Sequence, residues 1–522
     1  MAALASRARA LPRVESLLTG TAGVVLLTGG LLLISLYLRT RALGASLWMD
    51  EGLSIGIASQ PFWDIPGVLR QDGSPPLYYL SLHLWMEAFG TGPADTQSLS
   101  VAISLLAVPG GLWAGWTLFG KRAGLICAAL GAFNPFLTTY AQETRMYSLM
   151  VVLSLLLSAA FIHVFVFRRR GYLPLLAGLL ALILYTHSWG IFVTAGTLVA
   201  LVPLLAGADD RRGLLRDVAI GYGAAFVLYI PWLPTLLYQT AHTGAPWLNS
   251  PRLGAPVQIA KGLLGGGTVT VALVLAAGSG LAAVLARKIS DDKERTAVLT
   301  ALSIGVATLA VAWLFSQVSP AWTTRYLGVA LGPIFLLAAV GLARAGNLGL
   351  VALAIVLVIW AVPKTSNLEN KSNAADLANA VADTMRPGDL VVTLQPEQHP
   401  LIHYHLRNDM TEATQLGEVQ RKGVMDWRNV KEKLDDATPA ENLVPLLDKL
   451  PRSQRVLLVH PVTSSIDDWD APWTQLVRRR SAQWGQTLES DRRFTRDKAV
   501  PAFYRRARRI GVRGVLYTKT RD

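Results

Sequence analysis

Residues 17–38 read LLTGTAGVVLLTGGLLLISLYL, and the tetrapeptide Trp48-Met49-Asp50-Glu51 follows after nine further residues. A bilayer core about 30 Å thick is crossed by about 20 apolar residues in a helix, so the first stretch is long enough to span a membrane. It is too long for the apolar core of a signal peptide, and no convincing cleavage site follows it. We therefore expect a retained membrane helix that places two adjacent carboxylates at the membrane surface.

Apolar runs of similar length recur along the first two-thirds of the chain. With the first one they predict about eleven membrane helices. The runs are 17–38, 99–119, 123–140, 146–167, 172–186, 189–206, 218–238, 268–286, 297–315, 325–343 and 347–362. This pattern predicts a polytopic α-helical membrane protein.

The composition agrees with a membrane domain followed by a soluble one. The chain is 52% hydrophobic and 16% charged over 522 residues, which is too apolar for an ordinary soluble protein of this size. Of its 49 basic and 35 acidic residues, 47 follow Val362. The single cysteine, Cys127, excludes an intramolecular disulfide. The net charge of +14 could suggest a nucleic-acid partner, but cytoplasmic Lys and Arg explain part of it, and we predict none.

The charged tail alternates between helix-like and strand-like segments. It predicts helices at Ala374–Met385, Leu443–Leu450 and Ala471–Arg480, and strands at Asp389–Leu394, Val456–Val459, Pro501–Tyr504 and Val515–Tyr517. We therefore divide the chain into a transmembrane domain, residues 1–363, and a C-terminal α/β domain, residues 364–522.

Basic residues predict the orientation, because Lys and Arg collect on the cytoplasmic side. Three arginines precede the first helix and place the N-terminus inside. With eleven helices the other basic clusters also fall inside: Lys121–Arg122, Arg168–Arg170, Arg211–Arg216, Arg287–Arg295 and Arg344, after Arg7, Arg9 and Arg13. This parity requires Pro75–Phe89, an apolar segment of 15 residues, to lie along the outer surface as an interfacial helix. The same parity places the C-terminal domain outside the cytoplasm. The abundance of Ala, Leu, Gly and Arg is typical of a GC-rich bacterium, so we expect a bacterial plasma-membrane protein.

The outer loops carry charged residues where few are expected. Asp50 and Glu51 are either a solvated charge pair or an acid–base carboxylate at the mouth of a cavity, since a carboxylate can take a proton from a hydroxyl at neutral pH. Glu143 and Arg145 are either a structural ion pair or a site in which Arg145 offers a forked donor to phosphate. Glu143 could then bind a hydroxyl, a metal or Arg145. Arg325 could extend to lipid headgroups or face a lipid phosphate.

Aromatic and amide side chains accompany these charges, together with one histidine, His187, which alone would be a hydrogen-bonded structural residue. The accompanying side chains are Trp48, Tyr78, Tyr79, Gln142, Tyr147 and Trp322. The whole set suits an anionic, amphipathic substrate with a sugar part. In the tail, His399, His403 and His405 resemble a metal spacing, but no cysteine accompanies them and we predict no metal site.

The order of these motifs resembles the GT-C superfamily of integral-membrane glycosyltransferases. The motifs are the first span, Trp48-Met49-Asp50-Glu51, the surface helix beginning Pro75-Pro76-Leu77-Tyr78-Tyr79, and Gln142-Glu143-Thr144-Arg145-Met146-Tyr147. Residues 1–345 are similar to the branch that contains aminoarabinose transferases and protein O-mannosyltransferases. The tail, with Gln395-Pro396-Glu397-Gln398, is similar to actinobacterial relatives with a C-terminal α/β domain.

The resemblance implies that a sugar, with mannose or arabinofuranose favoured, moves from a polyprenyl monophosphate to a hydroxyl on an extracytoplasmic glycan, glycolipid or protein. It implies that Asp50 is the general base and that Glu51 supports it. It places Arg145 and Arg325 near the donor phosphate and Glu143 in the donor pocket.

Two points in the resemblance stay open. Relatives often carry His or Lys just before the proline of the surface helix, where this chain has Ser74. Some relatives bind a divalent metal and others do not, so we predict no cofactor.

The alternative function is a transporter or flippase of a polyprenyl-linked sugar, which would use the same arginines and aromatic residues but no base. A membrane-anchored glycan-binding protein would leave Glu143 and Arg145 unexplained.

Overall fold

A computed structural model describes residues 20–255, 262–286, 291–362, 366–406, 409–462, 470–500 and 511–522. The helices up to residue 361 are α1 Thr21–Thr40, α2 Met49–Ala58, α3 Ile65–Asp72, α4 Leu77–Phe89, α5 Pro93–Leu105, α6 Ala107–Phe119, α7 Lys121–Phe133, α8 Pro135–Tyr140, α9 Tyr147–Phe165, α10 Leu173–Thr186, α11 Gly190–Ala206, α12 Arg211–Tyr229, α13 Leu233–His242, α14 Gly267–Leu285, α15 Asp292–Val318, α16 Leu331–Arg344 and α17 Gly346–Ala361. Short 3-10 turns occur at Phe62–Asp64, Arg170–Tyr172, Ile230–Trp232 and Tyr326–Ala330.

Within the described residues, seven helical units are long and apolar enough to cross a membrane, and three shorter apolar helices accompany them. The chain is therefore a multi-pass membrane protein, as the sequence predicted. The predicted run 123–140 is divided at Asn134 into α7 and α8, because the Asn134 side chain accepts a hydrogen bond from the Leu137 amide and starts a new helix. Several basic residues used for orientation lie outside the described residues: Arg7, Arg9, Arg13, Arg287 and Lys288.

The membrane helices differ in how much they are covered by other helices. The most apolar window of α9 is 89% buried, whereas that of α1 is only 22% buried. Helix α9 therefore lies at the centre of the bundle and α1 at its edge. The segment predicted to lie along the membrane surface forms α4, which has 13 residues and is shorter than a normal span.

Glycines allow two helices that follow the first outer loop to pack closely. Helices α6 and α7 are joined at Gly120, whose φ of +93° is one that glycine adopts without strain. A Cβ added at Gly115 would lie 2.7 Å from the Ala123 carbonyl oxygen, and one added at Gly131 would lie 2.7 Å from that of Ala107. Small residues at these positions let the backbones approach, as is common between membrane helices.

The C-terminal domain is built on a six-stranded sheet. Its strands are β1 Leu390–Thr393, β2 Thr411–Thr414, β3 Gly417–Glu418, β4 Arg455–Val462, β5 Phe494–Val500 and β6 Gly511–Lys519, in the order β3-β2-β1-β4-β6-β5. Strands β2, β1 and β4 are parallel, and the other pairs are antiparallel. Its helices are α18 Ser366–Glu369, α19 Ala374–Val381, α20 His399–Leu406, α21 Val430–Asp436, α22 Pro439–Asn442, α23 Val444–Lys449 and α24 Pro472–Ser490, with a 3-10 turn at Pro396–Gln398.

Three predicted helices and three predicted strands of this domain are present, as α19, α23, α24, β1, β4 and β6. The fourth predicted strand, Pro501–Tyr504, lies outside the described residues. Strands β2, β3 and β5 were not predicted; in β5 the residues between the two ends are mostly charged and exposed. Such an edge strand lacks the apolar alternation by which strands are recognised.

Helix α2 contacts the C-terminal domain along a glycine face. A Cβ added at Gly52 would lie 2.7 Å from the Leu401 Cα, and one added at Gly56 would collide with the carbonyl of Gly423. The two glycines are four residues apart and so lie on one side of the helix. The C-terminal domain therefore supports the helix that begins at Met49, immediately before the two carboxylates.

A buried carboxylate ties α20 to β2. Glu412 accepts hydrogen bonds from His399, at 2.5 Å, and from His403, at 2.8 Å. Burial alone would raise the pKa of Glu412, but the two histidine hydrogen bonds outweigh it and lower this pKa to about 2. Two of the three histidines of the metal-like spacing thus bind a carboxylate.

Candidate active site

A cavity of about 770 Å³ lies where the loops between the membrane helices meet the C-terminal domain. Its lining includes Trp48, Asp50, Asp72, Ser74, Arg145, His187, Trp189, Ile191, Phe192, Gln239, Trp247, Val311, Phe315, Arg325, Tyr326, Glu397, Trp427 and Thr474. These residues come from the start of α2, the end of α3, the loops before α4, α9, α11 and α16, the helices α11, α13 and α15, the segment after α13, and the C-terminal domain. The cavity is therefore a composite of both parts of the chain.

Asp50 stands in the first turn of α2 and is 7% exposed. Its Oδ2 lies 3.0 Å from a guanidinium nitrogen of Arg325, which comes from the loop before α16. The same guanidinium lies over the ring of Trp48 at 5.6 Å and that of Tyr326 at 5.5 Å. The Arg325 guanidinium thus contacts Asp50 at the cavity wall.

Arg145 lies beside this pair and is surrounded by neutral oxygens. One terminal nitrogen donates to the Asp50 carbonyl at 3.3 Å and to the Ser54 hydroxyl at 3.1 Å, and the two terminal nitrogens reach the hydroxyls of Tyr79 and Tyr147 at 3.5 Å. Among the described residues, no carboxylate lies within ion-pair distance of its guanidinium. The side chain is a buried cation on a cavity wall whose nearest acceptors carry no charge.

Residues outside the cavity lining hold the loop before α9 in place. The Arg145 amide donates to the Glu143 carbonyl at 2.7 Å, and the Ser100 hydroxyl donates to the Arg145 carbonyl at 3.1 Å. Glu143 is fully buried and does not line the cavity. The Glu143 side chain, which was expected in the donor pocket, therefore does not contact the cavity. Its backbone carbonyl instead helps to position Arg145.

Glu51 lies in a different environment from Asp50. It is fully buried, and its Oε2 lies 2.7 Å from the Lys371 Nζ. Its Oε1 accepts hydrogen bonds from the Gln97 side chain at 3.1 Å and the Thr144 amide at 3.0 Å. Lys371 also donates to the Gln142 carbonyl at 3.1 Å. Glu51 thus joins α2, the loop before α9 and the start of the C-terminal domain, and it does not line the cavity.

The predicted tyrosines and Gln142 form the layer behind the cavity wall. Tyr79 and Tyr147 present their hydroxyls to Arg145, while the Tyr78 hydroxyl is 2.8 Å from that of Ser100. The Gln142 side chain accepts from the Ala42 amide at 2.6 Å. None of these four predicted residues lines the cavity itself.

The remaining predicted aromatic residues lie near the arginines. Trp48 and His187 line the cavity, and the His187 ring is 4.6 Å from that of Tyr326. Trp322 is partly buried against Trp189 at 5.8 Å and is not in the lining. The structure thus brings together the four predicted outer loops, those that hold Asp50, Arg145, His187 and Arg325, at one end of the membrane domain.

Two acidic residues of the cavity, Asp72 and Glu397, were not predicted from the sequence. Asp72 ends α3 just before Ser74, and burial raises the pKa of its carboxyl despite hydrogen bonds from Ser74. Its position just before Pro75, where the predicted surface helix begins, is a sequence feature that could have marked Asp72 as a candidate. Glu397 comes from the C-terminal domain, in a segment noted only for its resemblance. Nothing in the sequence around Lys371 signalled that it pairs with Glu51.

The cavity has one apolar side that opens along the membrane helices. Ile191 and Phe192 of α11 and Val311 and Phe315 of α15 line it. Ile191 is 40% exposed and Phe315 49% exposed, so these side chains also face the surroundings of the bundle. A ligand with a long apolar chain could therefore enter from the lipid.

Residues 20–255 and the other described ranges contain no group of three or more His, Cys, Asp or Glu side chains placed to hold a metal ion. The polar part of the cavity instead combines two arginines with three carboxylates, those of Asp50, Asp72 and Glu397. Such a site can hold an anionic group and can accept a proton from a neighbouring hydroxyl.

No protein-family model and no curated protein sequence matches the chain. Solved structures do match it. ArnT from Cupriavidus metallidurans bound to undecaprenyl phosphate has a TM-score of 0.59 and 15% identity, covering 96% of this chain and 98% of that one. AglB, the oligosaccharyltransferase from Archaeoglobus fulgidus in complex with an inhibitory peptide and a dolichol-phosphate, has a TM-score of 0.52 and 10% identity, covering 83% and 69%.

The arabinofuranosyltransferase AftD from Mycobacteria has a TM-score of 0.55 and 14% identity. The alignment covers 96% of this chain but 40% of AftD, which is a much longer protein. At such identities the likeness establishes the fold. The chain has the fold of the GT-C glycosyltransferases, as its motifs suggested.

Proposed function

We propose that this protein is a membrane glycosyltransferase that moves a sugar from a polyprenyl monophosphate to a hydroxyl group outside the cytoplasm. The observation that carries this proposal is the buried guanidinium of Arg145, which lines a cavity without a carboxylate partner among the described residues. No carboxylate of the described residues is in ion-pair contact with this guanidinium, and a forked guanidinium matches phosphate oxygens. In the proposed complex the donor phosphate contacts Arg145 directly.

The apolar side of the cavity supports a lipid-linked donor. A polyprenyl chain would lie along Phe192 and Phe315, with its phosphate at Arg145 and Arg325. ArnT was solved with undecaprenyl phosphate and AglB with a dolichol-phosphate, which makes a polyprenyl phosphate the natural class of ligand for this fold. Mannose and arabinofuranose are the favoured donor sugars, and the acceptor is a glycan, a glycolipid or a protein.

The reaction is a single displacement with inversion at the anomeric carbon. The acceptor oxygen forms a bond to that carbon while its proton passes to Asp50, which acts as general base. The bond from the anomeric carbon to the phosphate oxygen breaks, and the polyprenyl phosphate leaves with the electron pair. Arg145 and Arg325 stabilise the charge that grows on this leaving group. Arg325 has five N–H donors, so it can contact phosphate while it holds Asp50.

The proposed orientation rests on the basic loops, because Lys and Arg collect on the cytoplasmic side. The N-terminus lies in the cytoplasm of a bacterium, and residues 1–363 form the transmembrane domain. Residues 364–522 form the extracytoplasmic domain. Polyprenyl-linked sugars and their acceptors meet on the outer side of the plasma membrane, where the four predicted outer loops lie together.

A reconstituted protein can test this proposal. Short-chain polyprenyl phosphomannose and polyprenyl phosphoarabinose are supplied separately, with a mixed pool of glycan acceptors, and the release of polyprenyl phosphate is measured. We expect release from one donor. Arg145→Gln should lower kcat/KM for that donor by about 30-fold or more, because a buried charged contact is worth about 2–5 kcal/mol. Arg41→Gln, which changes an exposed arginine beside α1, should leave it unchanged.

The alternative is a transporter or flippase of the polyprenyl-linked sugar. It would move intact donor across the bilayer and would release no polyprenyl phosphate. Movement of a labelled donor without cleavage would therefore replace the proposed function.

A further inference from the structure

Glu397 brings a carboxylate from the C-terminal domain into the cavity that contains Asp50. It lies on the 3-10 turn Pro396–Gln398, between β1 and α20, and is 5% exposed. Its neighbour Gln395 contacts the Met49 sulfur at 4.0 Å, so this turn lies against the start of α2. A residue more than three hundred positions from Asp50 in the chain thus shares its cavity.

The Glu397 carboxylate is held by one oxygen only. Its Oε1 accepts hydrogen bonds from the Trp473 indole at 2.9 Å and the Gln395 side chain at 2.8 Å. Its Oε2 is buried and has no hydrogen-bond partner among the described residues. Leaving a buried acceptor unsatisfied costs free energy, and each such atom in a functional cavity needs an explanation. Burial also raises the pKa of Glu397, and the nearby Asp50 adds to this effect.

Two further tryptophans line the same cavity, and the ring of one, Trp427, is 5.9 Å from that of Trp473, which donates to Glu397. The rings of Trp247 and Trp427 are 4.6 Å apart, and both residues line the cavity together with Thr474. Flat indole faces with a polar end bind well where one side of a ligand is apolar and the other is hydroxylated. A sugar ring has this character, since its C–H groups can stack on an indole while its hydroxyls reach a carboxylate.

The charges divide the cavity between its two ligands. Phosphate is attracted to the cationic Arg145 and Arg325, whereas Glu397 offers it no positive charge, so the Oε2 of Glu397 suits a neutral polyhydroxyl group. The lipid chain of the donor belongs on the apolar side at Phe192 and Phe315. Glu397, Trp427 and Thr474 line the same cavity from the C-terminal domain, and Trp247 lines it from the segment after α13.

We infer that Glu397, with Trp247 and Trp427, forms the subsite that binds a neutral sugar residue of the acceptor and presents its hydroxyl to Asp50. This inference rests on the proposed function and makes the acceptor a glycan-bearing molecule. Glu397 is an acceptor-binding residue, and the C-terminal domain completes the active site.

The Glu397→Gln variant tests this subsite. Glutamine keeps an oxygen that can accept from Trp473 and Gln395, but it replaces the free anionic oxygen by an amide group. We expect KM for short oligomannoside or oligoarabinoside acceptors to rise about 10- to 100-fold, the range of a hydrogen bond to a charged group. KM for the donor, and donor hydrolysis without acceptor, should change less than about twofold. Glu418→Gln, at an exposed carboxylate of the same domain, is the matched control.

A binding measurement separates failure of this inference from failure of the proposed function. Quenching of tryptophan fluorescence reports oligosaccharide binding without turnover. Weaker binding by Glu397→Gln than by wild type supports the subsite even if no donor is cleaved, whereas equal binding or none by wild type overturns it. An equal rise of donor and acceptor KM also overturns it. If Glu397→Gln does not fold, Trp247→Ala, at a partly exposed ring, should show the same loss of acceptor binding.

Discussion

Asp50 and Glu51 are neighbours in the chain, but the structure gives them opposite surroundings. Asp50 faces the cavity and contacts Arg325, a residue of the membrane domain. Glu51 turns away from the cavity and pairs with Lys371 inside a fully buried network. Two consecutive positions in one turn of α2 therefore hold a carboxylate that can reach a ligand and one that joins the two domains. Identical chemistry at adjacent positions has two roles because the helix directs the side chains about 100° apart.

The largest effect is expected at Asp50, the carboxylate that faces the cavity. Asp50→Asn keeps the shape of the side chain and an oxygen that can accept from Arg325, but it cannot take a proton from the acceptor hydroxyl. Transfer should fall by about 10²- to 10⁴-fold, the usual contribution of a general base. The unfolding temperature and donor affinity should stay close to those of wild type. Steady-state transfer rates and a thermal unfolding curve in the same detergent measure both.

Asp64→Asn is the control for this variant, because Asp64 is an exposed carboxylate of the same loop and does not line the cavity. Its transfer rate should equal that of wild type. A wild-type rate in Asp50→Asn would remove Asp50 from the chemistry.

A smaller effect, on stability, is expected at the buried Glu51. Glu51→Gln leaves the Lys371 charge buried without its counter-ion, which should lower the free energy of unfolding by about 3 kcal/mol. Replacing Lys371 as well, in Glu51→Gln/Lys371→Gln, should recover part of this loss, because no unpaired charge is then left. Denaturant unfolding of both single variants and the double variant gives the coupling free energy.

Glu87→Gln is the matched control, since Glu87 is 65% exposed and its partner His83 lies 3.3 Å away at the surface. Its effect should be within about 0.5 kcal/mol. If Glu51→Gln unfolded like wild type but lost transfer as strongly as Asp50→Asn, Glu51 would belong to the chemistry instead.

The same contrast explains how much the sequence could predict. Asp50 and Arg145 stand out as candidates because they follow apolar runs in which charges are rare. Lys371 and Glu397 do not stand out, since the tail in which they lie holds 47 charged residues and nothing local marks two of them. Lys371 pairs with a residue 320 positions away, and a contact of that separation depends on how the two domains meet.

The fold, like the site, was predictable only in part from the sequence. Length and hydropathy indicated the membrane helices, but they gave no sign of the break at Asn134, where a single side chain starts a new helix. The motif order suggested the GT-C fold. That Glu51 supports the contact between the domains, by contrast, was accessible only from the structure.

The smallest effect is expected at the packing contact between α2 and the C-terminal domain. Gly52 follows Glu51 on α2, and a Cβ at this position would lie 2.7–2.8 Å from the backbone and Cβ of Leu401. Gly52→Ala should therefore push α2 away from the C-terminal domain and lower the free energy of unfolding by about 1–3 kcal/mol, the range for overpacking. Gly67→Ala on α3 is the control, because nothing lies within 4 Å of its added Cβ and the change should be neutral or slightly stabilising. Denaturant unfolding of the two variants measures this difference. If Gly52→Ala and Gly67→Ala were equally stable, the close contact between α2 and Leu401 could open without a loss of stability. The conclusion that Glu51 joins the two domains would then need evidence other than this contact.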